Sequence, residues 1–234
     1  GKKRKRPTKM EMREHNYLDN FFLPVIFHNL KGYDSHFVIK HFQRKYTEHT
    51  NGRSGAVTYD DVKVIPLNSE KYVMFEIGKL RFLDSFQFLS TSLENLASML
   101  EQSKFTQTTK YMGTNPLIYA KGVYPYSYMS GPEKFLETEL PPIEAFYNDL
   151  TEEPLSETDY VHAKPIWTEF GIQNLQQYHD HYLLLDVLLL ADVFENFRRS
   201  IFEEFKLDCL HFYTLPSLSW TIAQKYTNVQ LDLI

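Results

Sequence analysis

The longest helical pattern in the sequence lies near its C-terminal end, in "YHDHYLLLDVLLLADVFENFRRSIFEEF". Apolar side chains recur there at helical spacing, which predicts one long helix over about 174–204. The predicted apolar stripe of this helix consists of Leu183, Val187, Leu190 and Phe194. A helix of this length makes the C-terminal half of the chain helix-rich, whatever the N-terminal half contains.

One acidic residue, Asp186, interrupts the most apolar part of this helix. A carboxylate in such surroundings is costly unless a cation, hydrogen bonds or a metal ion compensates it. Tyr182 lies four residues earlier, so the two side chains are about 40° apart on the same face of a helix. Two interpretations stay open at this point: the carboxylate faces water, or it belongs to a polar site together with Tyr182.

A second unusual stretch, "PVIFHNLKGYDSHFVIKHF", begins at Pro24. Its start predicts a buried strand over 23–27, and its end predicts a helix over about 34–45. Polar groups crowd the corner between the two, and Asp34 is the acidic residue among them. The histidines nearby do not indicate zinc, because the chain has one cysteine, Cys209, and therefore no cysteine cluster.

Between these two features the sequence predicts a mixture of strands and helices. Two or three β-like runs are expected in "YDDVKVIPL", "KYVMFEIG" and "LRFLDSF", and they include a hairpin that turns at a Gly-Lys pair. The segment "STSLENLASMLEQ" predicts a helix over 92–102, with Glu94 placed as in a capping box. An irregular connection is expected over 105–142, and further helices at 143–150, 156–169 and 216–226. The fold class is therefore α/β, with a mixed sheet flanked by helices.

Composition and charge narrow the function classes. The 234 residues are 43% hydrophobic and 24% charged, as in a globular protein, and no apolar run reaches the ~18 residues of a membrane span. The first ten residues, "GKKRKRPTKM", carry six Lys/Arg and no acid, so the remainder is more acidic than the net charge of −5. This basic run is either a nuclear-localisation or phosphate-contacting tail or a solvated linker. The acidic remainder argues against a broad basic face for DNA and favours a local groove.

Short motifs in the two unusual stretches resemble those of family B DNA polymerases. "FHNLKGYDSHF" resembles their second exonuclease motif, an Asn followed after a short gap by an aromatic residue and Asp, and "YLLLD" resembles the third, Tyr-x-x-x-Asp. Together with "KGVYPYSYM", "LPPIEAFYNDL" and "LPSLSW", they resemble the protein-primed branch of phages, adenoviruses, linear plasmids and Polinton (Maverick) transposons. The resemblance implies a 3′–5′ proofreading exonuclease domain of ribonuclease H-like fold.

This resemblance also implies roles for individual residues. Asp34 and Asp186 would be ligands of a two-metal centre that holds Mg²⁺ (or Mn²⁺). Tyr182 would orient the attacking water or the scissile phosphate. Asn29 and Tyr33 would contact the frayed 3′ single strand of the primer, the amide through hydrogen bonds and the ring by stacking.

A further single-strand-binding motif of the family, Ser/Thr-Leu-x-x-apolar, has two candidate positions. In "DSFQFL", Ser85 and Phe86 would serve, with Phe in place of Leu, and the position after the hairpin favours them. In "TSLENL", Ser92 and Leu93 match the motif better, although we expect Ser92 to cap the following helix. Both positions stay open as DNA-binding candidates.

Three parts of the family pattern are absent or altered. The first exonuclease motif, Asp-x-Glu, occurs nowhere in the chain, and "MEMRE" (Glu11, Glu14) has the wrong residue type and spacing. The lysine motif Lys-x-x-apolar would fall on "IEAF", with Ile143 in place of Lys, or alternatively on Lys134. The polymerase palm would begin beyond the last residues, "NVQLDLI". Because two carboxylates hold metal poorly, the chain alone is predicted to be nearly inactive.

The sequence therefore predicts a fragment of a DNA-directed DNA polymerase of the protein-primed type. Residues 1–20 are expected to be a basic tail or linker, 21–205 an exonuclease-like domain without its first motif, and 206–234 the start of the connection to the palm. Expected partners are the primer 3′ end and single-stranded DNA, with deoxynucleotides and a terminal protein primer for the longer protein. The alternative is a degenerate transposon-derived module that binds single-stranded DNA or a protein partner without catalysis. We expect an intracellular protein outside any membrane, and a nuclear one if the basic run is a localisation signal.

Overall fold

The computed structural model describes residues 21–30, 35, 37–41, 62–66 and 72–229 of the chain. The chain divides into two compact units: a sheet unit, Gly1–Ser90 with Leu207–Ile234, and a helical unit, Thr91–Lys206. The predicted α/β class is confirmed, since a mixed sheet and several helices are both present. None of the helices in the described ranges combines the length and the apolar composition that crossing a membrane requires.

The sheet unit is built on strands β1 (Leu23–Phe27), β2 (Val62–Pro66), β3 (Tyr72–Ile77) and β4 (Leu80–Asp84). Their order is β1-β4-β3-β2, with β1 parallel to β4 and the other two pairs antiparallel. The predicted strand 23–27 and the predicted hairpin are both confirmed. Gly78 takes a left-handed φ of 60° in the two-residue turn between β3 and β4, a conformation that glycine adopts without steric cost.

Aromatic stacking fills the core of this unit. The rings of Phe75 on β3 and Phe82 on β4 stack with centroids 4.5 Å apart, and Leu30 packs beside them. Residues 37–41 are helical and place Val38 and Ile39 on the same cluster, which confirms the described part of the helix predicted at 34–45. The remaining positions of that prediction, apart from 35, lie outside the described residues.

The described part of the chain continues with helices. They are α1 (Leu93–Ser98), α2 (Thr106–Met112), α3 (Glu157–Glu169) and α4 (Leu175–Phe205) in the helical unit, and α5 (Leu215–Thr227) in the sheet unit. Short 3₁₀ turns lie at Ser85–Gln87, Gln102–Lys104, Pro116–Tyr119, Pro132–Leu136, Ile143–Phe146 and Cys209–His211. The helices expected at 156–169, 174–204 and 216–226 are confirmed to within one residue at each end.

The first helix of the helical unit is shorter than expected. α1 ends at Ser98 instead of reaching 102. Its N-cap is Ser92, whose hydroxyl accepts from the N–H of Asn95 at 3.2 Å. The capping box predicted with Glu94 is therefore wrong by one position, because the third helical residue after Ser92 is Asn95.

Two further expectations about the helical unit are wrong. The helix predicted at 143–150 is a single 3₁₀ turn, Ile143–Phe146. The Asn148 side chain accepts from the N–H of Leu150 at 2.9 Å, a local bond that competes with helix formation. The connection over 105–142 is not wholly irregular, since it contains α2 and two 3₁₀ turns.

The apolar face of α4 also differs from the predicted stripe. Leu183 and Val187 are 53% and 58% exposed, whereas Phe194 is buried as expected. The side chains that α4 buries lie mainly on a neighbouring face and include Tyr178, Tyr182, Leu185, Leu188, Leu189 and Val193. α1, α2 and the turn at Pro132–Leu136 pack against α4, and their positions decide which face is buried.

A buried carboxylate joins α4 to α2. Asp192 is 2% exposed, and its Oδ1 accepts from the backbone N–H of Gln107 (2.8 Å) and the hydroxyl of Thr106 (3.2 Å). Its Oδ2 accepts from the N–H and the hydroxyl of Thr108, at 2.8 and 2.7 Å. The N-cap residue of α2, Phe105, makes no side-chain capping bond. Asp192 therefore caps α2 from another helix, satisfying N–H groups that have no partner within α2.

Candidate functional site

Three of the predicted DNA-contacting residues, Asn29, Ser85 and Phe86, meet at one edge of the sheet. β1 and β4 are parallel neighbours, so their carboxyl ends, which lead to Asn29 and Phe86, lie side by side. Asp84 at the end of β4 accepts from the backbone N–H groups of Asn29 (2.8 Å) and Phe86 (3.0 Å). Asn29 has a left-handed φ of 64°, which Asn adopts more readily than most residues. Sequence reasoning missed Asp84, although an Asp directly after an apolar strand often bonds backbone N–H groups two residues on.

Ser85 and His28 form a second connection at the same edge. The Ser85 hydroxyl donates to the carbonyl of Phe27 at 2.8 Å, and His28 Nδ1 lies 2.9 Å from the same hydroxyl oxygen. Because the hydroxyl hydrogen is used on the carbonyl, we assign the proton of this contact to Nδ1 of His28. Ser85 is fully buried, while Phe86 is half-buried and its ring meets that of His28 edge-on.

Of the other predicted DNA-binding residues, the structure describes Ser92 and Leu93. Ser92 caps α1, as expected, and Leu93 is buried beside it; both belong to the helical unit. Tyr33 and Asp34 lie outside the described residues. The DNA and metal contacts assigned to these residues stay predictions.

The helical unit holds the second group of site residues, around Asp186 on α4. The Oδ2 atom of Asp186 lies 3.5 Å from Nζ of Lys121, and both side chains are half-buried. The Oδ1 atom is buried and has no hydrogen-bond partner among the described residues. Of the two interpretations left open by the sequence, these contacts favour the polar site over a carboxylate that faces water.

Burial and the neighbouring polar groups shift the pKa of the Asp186 carboxyl group in opposite directions. Burial raises the pKa of Asp186, and the Lys121 ammonium and the Tyr182 hydroxyl offset part of the increase. Burial also raises the pKa of Tyr182, and its hydrogen bond with Tyr126 adds to the effect. Tyr182 is therefore a protonated phenol at neutral pH, able to donate one hydrogen bond.

Other aromatic side chains surround Tyr182. The hydroxyls of Tyr182 and Tyr126 are 2.8 Å apart, and the rings of Tyr124 and Tyr182 stack with centroids 5.0 Å apart. The Tyr124 hydroxyl in turn lies 2.9 Å from Nδ1 of His179. A Cβ added to Gly122 would lie 3.4 Å from the Tyr182 ring, in van der Waals contact with it, so the backbone at this position lies close to α4. These contacts hold the segment from 121 to 126 against α4.

Lys121 is a candidate that sequence reasoning missed. It opens "KGVY", which fits the pattern Lys-x-x-apolar. Of the earlier candidates for that motif, Lys134 forms an ion pair with Glu137 at 2.8 Å, and Ile143 begins a 3₁₀ turn. The contact of Lys121 with Asp186 favours "KGVY" over both.

The chemistry of Asp186 fits a divalent cation, because a buried carboxylate oxygen without a partner is a hard oxygen ligand. Within the described residues, no group of three His, Cys, Asp or Glu side chains is placed to hold a metal ion. Asp34, the other expected ligand, lies outside those residues. Of the two expected metal ligands, the described residues thus contain Asp186.

A cavity of about 720 Å³ opens beside Lys121 and Tyr182 in the helical unit. Its volume lies within the roughly 300–1,000 Å³ that is typical of ligand pockets. Aromatic side chains form much of its wall: Tyr124, Tyr126, Phe146, Tyr147 and Tyr182. Polar groups come from α1, from α3 and from the turn between Asn148 and Glu153.

Comparison with known proteins identifies the class to which these features belong. The sequence profile of the family described as "DNA polymerase type B, organellar and viral" matches residues 20–231. That range is most of the chain, and the chain belongs to this family of DNA polymerases. The predicted family is therefore confirmed at this level.

One curated relative extends the comparison. The chain is 25% identical over 223 residues to a protein of Neurospora intermedia described as "Probable DNA polymerase". The match covers 90% of this chain and 20% of that protein, so the chain spans about a fifth of its relative's length. No solved structure matches the chain.

Proposed function

We propose that this chain contributes most of the 3′–5′ proofreading exonuclease domain of a protein-primed type B DNA polymerase, with a ribonuclease H-like fold. The observation that carries the proposal is the contact between Lys121 and Asp186, one turn of α4 after the protonated Tyr182. Tyr182 and Asp186 have the Tyr-x-x-x-Asp spacing, and they lie in a chain that belongs to the polymerase family. Polar groups at the carboxyl ends of two parallel strands add support, because ligand sites of α/β folds often lie there.

The reaction would be hydrolysis of the phosphodiester bond at the primer 3′ end. Asp186 and Asp34 would hold Mg²⁺ or Mn²⁺, which when bound supplies charge stabilisation and an acidified water. Tyr182 would donate its hydrogen bond to the attacking water or to a phosphate oxygen. The Lys121 ammonium would stabilise the negative charge that develops on the phosphate.

The sheet unit would hold the single strand. Asn29 and Tyr33 would contact it directly, and the half-buried ring of Phe86 would stack against a base. Ser85 would act by positioning His28, since its own hydroxyl is buried and bonded to a carbonyl. Ser92 and Leu93, the second candidate motif, would stabilise the N-terminal end of α1. Any contact that they make with DNA would be at that end of the helix.

The longer protein would extend DNA from deoxynucleotides and a terminal protein primer. We expect the present chain to be nearly inactive alone, because its sequence has no Asp-x-Glu and two carboxylates leave a two-metal site incomplete. The basic first ten residues would contact phosphates or serve for nuclear delivery.

The test is calorimetric binding of Mn²⁺ to the chain and to its Asp34→Ala and Asp186→Ala variants. Asp180→Ala is the matched control, because Asp180 is an exposed carboxylate on the same helix. A single strand labelled at its 3′ end, added to each sample, reports cleavage.

We expect binding that both site substitutions abolish and the control leaves intact, without trimming of the strand. Binding that survives either site substitution would contradict the shared metal site. Trimming by this chain would contradict the expected inactivity. Retention of the strand without any metal binding would favour the non-catalytic DNA-binding alternative.

A further inference from the structure

We propose that Tyr124 and His179 form a redox-active pair within the helical unit. A one-electron oxidant of the radical class, such as an oxidised guanine base, takes an electron from the Tyr124 ring, and the phenolic proton passes to Nδ1 of His179. The products are a neutral tyrosyl radical, an imidazolium and the reduced oxidant, so electrons and protons balance. This activity goes beyond phosphodiester hydrolysis and does not require it.

One hydrogen bond joins the two side chains. The Tyr124 hydroxyl, on the segment from 121 to 126, lies 2.9 Å from Nδ1 of His179 on α4. Because a phenol is a stronger acid than the N–H of a neutral imidazole, we assign the hydrogen of this contact to Tyr124 and the acceptor role to Nδ1. Loss of an electron makes a phenol strongly acidic, so its oxidation is favoured where a base is already bonded to the hydroxyl.

Two neighbouring tyrosines are bonded to groups that are not bases. Tyr178 donates its hydroxyl hydrogen to the carbonyl of Val123 at 2.7 Å. The hydroxyl of Tyr126 lies 2.8 Å from that of Tyr182. Neither a carbonyl oxygen nor a phenol takes up a proton near neutral pH, so oxidation of Tyr178 or Tyr126 is not assisted by proton transfer along these bonds.

Carboxylates lie beside two further tyrosines. Tyr128 donates to Glu137 at 2.6 Å, but the hydrogen bond from Lys134 lowers the pKa of Glu137 and weakens it as a base. The Tyr182 hydroxyl interacts with Asp186, the carboxylate that the proposed exonuclease site uses for a metal ion. Carboxylates have reference pKa values of about 4, against about 6.5 for imidazole, so imidazole is the stronger base of the two types.

Ring contacts connect the pair to the surface of the helical unit. The Tyr126 ring is 65% exposed and meets the Tyr124 ring edge-on, with centroids 5.0 Å apart. Tyr178 stacks on Tyr124 at 6.3 Å, and Trp167 lies 5.8 Å from Tyr178. An oxidant in solution can therefore act on an exposed ring, and the electron vacancy moves between rings in contact until it reaches the base beside Tyr124.

Burial favours proton transfer within the pair over release of the proton to water. Burial raises the pKa of Tyr124, and the neighbouring Tyr126 adds to the effect, so the phenol stays protonated at neutral pH. The tyrosyl radical carries no charge, which suits the half-buried position of its ring. A thiol or ascorbate then donates one electron to the radical, the proton returns from Nδ1, and the pair is restored.

The experiment is flash photolysis of the whole 234-residue chain, with photogenerated ruthenium(III) tris-bipyridine as the one-electron oxidant and without DNA or divalent cations. Transient absorption and EPR report the yield and lifetime of the tyrosyl radical. The variants are Tyr124→Phe, His179→Gln, and His179→Ala with and without added imidazole. Tyr111→Phe is the matched control, because Tyr111 is a 63% exposed tyrosine of α2 in the same unit.

We expect a long-lived tyrosyl radical in the unmodified chain that forms more slowly in D₂O than in H₂O, because a proton moves with the electron. Tyr124→Phe should remove most of this signal, and Tyr111→Phe should leave it unchanged. His179→Gln should lower the yield at least about tenfold, since a loss of one pKa unit in the proton acceptor is a factor of ten in the equilibrium. Added imidazole should restore most of the signal to His179→Ala and none of it to Tyr124→Phe.

High-field EPR of the unmodified chain keeps the pair testable even if a variant fails to fold, because the spectrum reports whether the radical oxygen is hydrogen-bonded. A radical without that bond, or one that forms equally fast in D₂O, would overturn the proposal. So would an undiminished signal in Tyr124→Phe, or a signal that Tyr182→Phe removes instead. A folded His179→Ala variant that imidazole does not rescue would exclude His179 as the proton acceptor, and with it the pair. The Mn²⁺ titrations with Asp34→Ala and Asp186→Ala decide the exonuclease proposal independently, because no divalent cation is present in the photolysis measurements.

Discussion

The buried carboxylate that links α4 to α2 allows a quantitative prediction. Replacing Asp192 by Asn keeps the size of the side chain but turns one acceptor oxygen into an NH₂ group. That group faces a backbone N–H that loses its acceptor, which costs about 1–3 kcal/mol. The bonds that remain lose their charge, and charged hydrogen bonds exceed neutral ones by about 1 kcal/mol each. The Thr hydroxyls can rotate to accept from the amide, so we expect a total loss of about 3 kcal/mol.

The assay follows unfolding of the helical unit. Trp167 packs against Tyr178 in its core with ring centroids 5.8 Å apart, whereas Trp220 lies in the sheet unit and is mostly exposed. In a Trp220→Phe background, the fluorescence of Trp167 therefore reports on the helical unit. A loss of about 3 kcal/mol should lower the Tm by roughly 6–12 °C for a chain of this size.

The matched control is Asp180→Asn, the same chemical change at an exposed position of α4, which should shift the stability by less than about 0.5 kcal/mol. Hydrogen exchange adds a local test, since the amides of Gln107 and Thr108 should lose protection in Asp192→Asn before the rest of α2 does. A loss below about 1 kcal/mol, or unchanged exchange at these two amides, would refute the capping argument.

Three further predictions concern the site and its surroundings. Lys121→Met should tighten Mn²⁺ binding at least about fivefold, because the ammonium 3.5 Å from Asp186 repels a second cation, as calorimetry would show. Burial lowers the pKa of His181, so below its unfolded pKa of about 6.5 the unfolded state binds the proton more readily and the helical unit loses stability. His181→Leu should therefore reduce the loss of stability of this unit between pH 7 and 5. Gly122→Val should destabilise the chain by about 1–3 kcal/mol in urea, because even a Cβ would lie 3.4 Å from the Tyr182 ring.

Each of these predictions has its own contrary result. Lys110→Met, remote from the carboxylate, should leave Mn²⁺ affinity unchanged, and equal effects of the two lysine variants would exclude a local cause. Parallel pH profiles of the His181→Leu variant and the unmodified chain would show that this histidine does not control acid sensitivity. Gly122→Ala, which adds only the Cβ, should cost less than Gly122→Val, and equal losses would point to the backbone instead of the contact.

Local signals in the sequence were sufficient for the β3–β4 hairpin and the longer helices, but not for α2, which was missed, or for 143–150, which was wrongly predicted as a helix. The Gly-Lys turn and the alternation around it gave the β3–β4 hairpin, and helical spacing gave α4 to within one residue at each end. The face that α4 buries could not be predicted in the same way. Leucines occur on all sides of the helix around Asp186, so the apolar pattern has no preferred direction there and neighbouring helices decide.

The side-chain contacts of the candidate site join residues that are far apart in the sequence, so no local sequence pattern predicts them. Lys121 and Asp186 are 65 positions apart in the numbering, and Asp192 reaches Thr108 across 84 positions. Tyr182 and Asp186 were found because a single helical turn relates them. Asp34 was singled out by its place at the predicted strand-to-helix corner and by its motif, and its role stays a prediction.

Asp186 and Asp192 together make α4 intolerant of changes in length between them. Six helical residues turn the direction of a side chain by about 240°, so one carboxylate reaches Lys121 while the other reaches the start of α2. An inserted or deleted residue would change that angle by about 100° and separate the two contacts. Relatives that differ in length should therefore carry their extra residues in the connections, and the stretch from 186 to 192 should vary by substitution alone.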